Sequence, residues 1–147
     1  MRRALLGAFL LALCFVGSAQ AQQVASGPCR PGHFLSAATT NATLIATGSR
    51  ALCGAVVVTN TTATTALDLR FYDSASSAVC NSGTGAAAVW NIAVPTNSTA
   101  ANVAGFVVSL PQDINFSGGI VACLTGAITD TDTTAAVTGV QVSYGVR

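Results

Sequence analysis

The chain has no lysine and no glutamate, one histidine, one tryptophan, and only six arginines and five aspartates in 147 residues. Each shortage removes a class of function. Nucleic-acid and polyanion binding draw their affinity from clustered basic side chains, and past the N-terminus Arg30, Arg50, Arg70 and Arg147 stand singly. Nucleic acid is therefore not an expected partner. Hydrolases and transferases need a base or a nucleophile-base pair, and His33 with five dispersed aspartates is a thin inventory. His33 follows Gly32 with no serine or cysteine close by to form a dyad, so it reads as a surface or strand-edge histidine. We expect no catalytic residue and no cofactor. A surface this poor in charge must be covered by Thr, Ser, Asn and Ala, and near-neutral surfaces tend to associate.

What is present begins with an export signal. Arg2 and Arg3 form a charged start, Ala4 to Val16 an apolar run, and Ala19-Gln20-Ala21 a small-x-small cleavage site, the three parts of a secretory leader. The run is shorter than the roughly 20 residues that cross a bilayer as a helix, and no later stretch is long and apolar enough to do so. Cys14 follows Leu13, where lipidation would want a small residue, so it reads as part of the apolar run. We expect a signal peptide over 1–21 cut before Gln22, an irregular leader over 22–32, and one β-sandwich domain over 33–147. The implied destination is the periplasm or the exterior of a bacterium, with no membrane span after cleavage.

Four cysteines remain beyond the signal peptide, Cys29, Cys53, Cys80 and Cys123, an even number in a chain bound for an oxidising compartment. Two disulfides are expected. Three pairings are open and spacing does not choose among them; we favour Cys29 with Cys53 and Cys80 with Cys123. No pair has the close C-x-x-C spacing of a zinc or redox site.

From His33 the pattern is of short β-prone runs broken by Thr, Asn, Ser and Gly clusters, with no sustained helical period. The expected strands are His33–Ala38, Ala42–Thr47, Ala51–Asn60, Ala66–Asp73, Ala87–Pro95, Val103–Leu110, Gly119–Gly126 and Gly139–Val146. About eight strands suit a single antiparallel sandwich. In LDLRFYD, Leu67, Leu69 and Phe71 share one face and Asp68, Arg70 and Tyr72 the other; in VQVSY, Val140, Val142 and Tyr144 point inward. AVVV (Ala55 to Val58) and GFVV (Gly105 to Val108) read as central strands covered on more than one side.

Three features could carry binding. Asp130 and Asp132, two apart in AITDTDTT, could converge on calcium if a carbonyl or Asp113 joined them, although the run lacks the glycine and terminal Glu of an EF-hand loop; a solvated, hydroxyl-capped turn is the plainer reading. Tyr72 is the aromatic best placed to be exposed and to serve a glycan, most other aromatics lying at core positions. Asn41, Asn60, Asn97 and Asn115 open N-x-S/T tripeptides, which arise readily in so Thr-rich a chain.

HFLSAATTNATLIAT, the pair CGAVVVTN and LDLRFYD, the IAVP step, FSGGIVACLTGAITDTDTTAA and the final VQVSYGV together resemble a family of small β-sandwich proteins of tailed phages and prophage-like gene clusters, usually described as virion or hypothetical structural proteins. The resemblance covers most of the domain. It implies a jelly-roll-like sandwich that works by packing against partners, and it transfers no active site. The chain departs from that pattern in its signal peptide and its cysteines. The expected function is an exported, non-enzymatic structural or interaction module that self-associates or decorates a surface. The alternatives are an extracytoplasmic module binding a glycan or calcium, and a cytoplasmic virion subunit.

Overall fold

A computed structural model describes residues 27–36, 42–61, 67–81, 87–97, 104–127 and 138–147. The signal segment and Asp130 and Asp132 lie outside the described residues. Nine strands follow in order: β1 (Arg30–Leu35), β2 (Ala42–Thr47), β3 (Arg50–Asn60), β4 (Leu67–Asp73), β5 (Trp90–Val94), β6 (Ala104–Ser109), β7 (Ile114–Phe116), β8 (Gly119–Thr125) and β9 (Val140–Val146). A short 3₁₀ turn, Ser77–Asn81, lies between β4 and β5.

The strands form two antiparallel sheets. Sheet A runs β1-β9-β3-β6, with β7 added on β3, and sheet B runs β2-β8-β4-β5. The pairs β1/β9, β2/β8, β3/β6 and β4/β5 are nested like the rungs of one long hairpin whose tip lies between β4 and β5. Wrapping that hairpin around itself adds the contacts β3/β9 and β4/β8. This is the jelly-roll arrangement.

The core between the sheets is built by alternation. Leu67, Leu69 and Phe71 of β4, Ile120, Ala122 and Leu124 of β8, Val56 and Val58 of β3, and Val140 and Val142 of β9 form one buried cluster, each facing inward because side chains alternate along a strand. Phe71 stacks on Trp90 with ring centroids 5.5 Å apart, a geometry favoured by aromatic quadrupoles. Tyr144 packs at the margin of the core, half-buried, and burial pushes its phenol pKa up.

Two expectations need correction. The leader does not stay irregular to Gly32: β1 opens at Arg30, because Cys29 is bonded to Cys53 and Arg30 pairs in register with Val146. Pro31 is tolerated there since β1 is an edge strand that needs no donor on its outer side. GFVV is not central: β6 ends sheet A, and Val107 is 62% exposed. The expectation of about eight strands agrees with the nine among the described residues; the additional one, β7, is three residues long and too short to announce itself by alternation.

Candidate interaction surface

The residues singled out from sequence fall into a covered face and an open one. On the outer side of sheet B, Asp68, Arg70 and Tyr72 occupy alternate positions of β4, and all three are buried. Tyr72, expected to be exposed, is only 6% so. The reason is the connection after β4: a disulfide joins Cys80 to Cys123 of β8, Cα atoms 5.6 Å apart, and draws Val79, Cys80 and Ala88 onto Tyr72 and Val121. A glycan has no access to that ring.

On the same side of β4 Arg70 Nε donates to Asp68 Oδ2 at 2.7 Å, with both side chains almost fully buried. Arg70 also hydrogen-bonds the Tyr72 hydroxyl and reaches the Ala127 carbonyl at 3.5 Å. Burial alone would lower the pKa of the guanidinium, but Asp68 and Tyr72 outweigh it and raise it. Among the described residues Asp68 Oδ1 has no hydrogen-bond partner. The group is a buried structural staple.

The remaining aspartates of the described residues are engaged in structure. Asp113 forms a bidentate pair with Arg147, at 2.6 and 2.7 Å. The Asp73 carboxylate accepts from Ser117 Oγ at 2.6 Å and from the backbone N–H groups of Ser117, Gly118 and Gly119, closing the turn between β7 and β8. Partial burial pushes its pKa up, yet these bonds prevail and hold it below the ordinary value. Among the described residues no three His, Cys, Asp or Glu are grouped to hold a metal.

The outer face of sheet A is open. His33, Ser143, Val57 and Val107 lie side by side across β1, β9, β3 and β6, and Leu35, Gln141, Thr59 and Gly105 form the next row. Their inward neighbours Phe34, Val142, Val58 and Phe106 face the core, which fixes this face as outward. No Asp or Arg occurs on it between Pro31 and Leu35, Cys53 and Thr59, Gly105 and Ser109, or Gln141 and Gly145. Leu35 and Val107 are its exposed large side chains. A depression of about 490 Å³ sinks into the same face, bordered by His33, Ser143, Val57 and Gly54.

That depression has a local cause. β3 carries a bulge between Cys53 and Val57, with Gly54 at φ 76°, a left-handed conformation that glycine adopts without a steric penalty. Beside it the Cys29–Cys53 disulfide lies directly over Gly145, so that a Cβ there would collide with Cys29 Sγ and come within 2.5 Å of the Cys53 carbonyl oxygen. His33 faces Ser143 in register, a neighbour that sequence distance hid, but the two side chains share no hydrogen bond.

No family model matches the chain. No curated protein matches it either. Among solved structures the chain is similar to one in the structure of infectious bursal disease virus, Gt strain, at 14% identity and a TM-score of 0.28, over 84% of this chain and 30% of that one. This chain thus spans under a third of that one's length.

Two of the N-x-S/T asparagines turn out to be structural. Asn60 is buried and donates to the Pro95 carbonyl at 2.9 Å; Asn97 is buried and donates to the Thr61 carbonyl at 2.9 Å. Together they tie the end of β3 to the connection that follows β5. Asn115 is exposed, and Asn41 lies outside the described residues. Both favoured cysteine pairings are present. Two disulfides fit an oxidising compartment, and among the described residues no helix is long and apolar enough to cross a membrane.

Proposed function

We propose that this chain is an exported, non-enzymatic structural module that acts by associating with copies of itself or with a surface outside the cytoplasm. The observation that carries the reading is the outer face of sheet A, which exposes Leu35 and Val107 and bears no Asp or Arg. Such a face costs little to desolvate, since no charge must be stripped of water when a partner covers it. The rest of the molecule fits a scaffold: its buried polar groups serve the fold, and the two disulfides stiffen it for life in an oxidising compartment. The signal-like N-terminus supplies the route out of the cell.

Sedimentation equilibrium on the secreted, oxidised protein tests the reading. Reversible association at micromolar to high micromolar concentration, little weakened by salt, is the expected result, because apolar contacts are not screened. A strict monomer that also binds no envelope or cell-surface preparation overturns it. Intact mass before and after thiol alkylation tests the compartment: a chain beginning at Gln22 with no free thiol supports export, and a full-length chain with free thiols favours the cytoplasmic virion-subunit alternative.

A further inference from the structure

An open sandwich has four edge strands, and natural proteins guard such edges with charge, proline or bulges, because each presents a row of unpaired backbone groups to any other strand. Here the guards are on one side of the molecule. β1 carries Arg30 and Pro31, and β2 is broken by a bulge between Leu44 and Ala46. These two edges lie together, since Arg30, Ile45 and Ala46 border one depression. On the opposite side β5 (WNIAV) and β6 (AGFVVS) hold neither charge nor proline. Their registers run without a shift, five pairs to β4 and six to β3. Asn60, which faces Ala104 in β6 and bonds Pro95 after β5, holds these two edges side by side.

We infer that β6 is the docking edge for a second copy of this chain, joining two molecules through an antiparallel β6–β6 contact that makes sheet A continuous across a two-fold axis. This rests on the self-association proposed above and names its surface. Of the two unguarded edges β6 is the longer, and its Val107 is 62% exposed beside the uncharged face of sheet A. A second copy is the occupant because β6 supplies both halves of the contact: an extended, uncharged strand already held in fixed register by β3 meets its own image with no like charges opposed. A near-neutral surface offers nothing to steer a charged partner to this edge. A two-fold contact between identical edges consumes both, so it closes at the dimer instead of running on into a fibre.

The test pairs Val107→Lys with Leu35→Lys, equally exposed positions on the unguarded and guarded sides. Sedimentation equilibrium of Val107→Lys should show dimerisation weakened by about fivefold to tenfold, as like charges are brought together across the axis, with Leu35→Lys unchanged. Hydrogen exchange on the unmodified protein needs no variant: amides of β6 should gain protection as concentration rises while those of β1 do not. Association that Val107→Lys leaves intact, or concentration-dependent protection elsewhere than β6, overturns the inference and leaves the self-associating module standing. A wild-type protein that stays monomeric to about 1 mM overturns the inference, and one that in addition binds no envelope or cell-surface preparation overturns the proposed function with it.

Discussion

The buried pair of Asp68 and Arg70 offers a sharp test of how this sandwich is held together. Both side chains are out of water, 2.7 Å apart, and among the described residues one carboxylate oxygen of Asp68 is left without a partner. Arg70→Met keeps the volume and strands the carboxylate, and breaking a buried pair in this way costs about 3–5 kcal/mol. For a domain of this size that lowers the melting temperature by about 10–20 °C. Asp68→Leu should cost about as much, since it leaves the buried guanidinium without its carboxylate. The double variant is the decisive one. It removes both desolvated charges together with the orphaned oxygen, whose burial alone is worth about 1–3 kcal/mol. It should therefore return to within about 1 kcal/mol of the wild type or exceed it. Urea unfolding at equilibrium with both disulfides intact, followed by circular dichroism, gives all four free energies. Single-variant costs below about 1 kcal/mol, or a double-variant cost equal to the sum of the singles, would refute the picture of two charges coupled in a dry site.

Other outcomes follow from the same physics. Replacing Cys80 and Cys123 by Ser frees a loop of 43 residues, a loss of at most about 4 kcal/mol. It should raise hydrogen exchange in β4 and β8, whose outer side loses its cover, more than in β3. Gly145→Ala should cost about 2 kcal/mol or more by collision with the disulfide and the Cys53 carbonyl, and the cost should shrink in a Cys29→Ser, Cys53→Ser background. Asp73→Asn should cost about 1 kcal/mol at neutral pH, where the carboxylate holds the 117–119 turn from an exposed position. Because the folded pKa of Asp73 lies below its ordinary value, its contribution is complete above that value and lost as pH falls through the folded one. Stability curves of wild type and Asp73→Asn should accordingly converge in acid.

Local pattern carried the strands and their inward faces. The alternation in LDLRFYD assigned both sides of β4 correctly, because a period of two is a property of the strand itself. Whether the second side meets water was not legible, since the cover over Tyr72 comes from Val79, Cys80 and Ala88, held there by Cys123, and Arg70 reaches the Ala127 carbonyl after β8. Burial of an apolar run likewise depends on its neighbours in the sheet: GFVV resembles VVVT, yet one strand ends sheet A and the other sits within it. The open face was hidden for the same reason. His33, Ser143, Val57 and Val107 are far apart along the chain and become one row only when β1, β9, β3 and β6 are laid side by side.

The disulfide at the start of β1 also decides how the molecule carries load. Gly27 and Arg147 lie together, joined by a hydrogen bond of 3.3 Å from Arg147 Nη1 to the Gly27 carbonyl. Tension applied at these two points would, in a reduced molecule, peel β1 from β9 one rung at a time, the weakest way to part an antiparallel ladder. With Cys29 bonded to Cys53, the pull bypasses β1 and arrives at the middle of sheet A, on the rungs between β3 and β9. Oxidation thus turns a strand that would unzip at the margin into a slack tether, and it is the central ladder of the sheet that sets the force a subunit can bear.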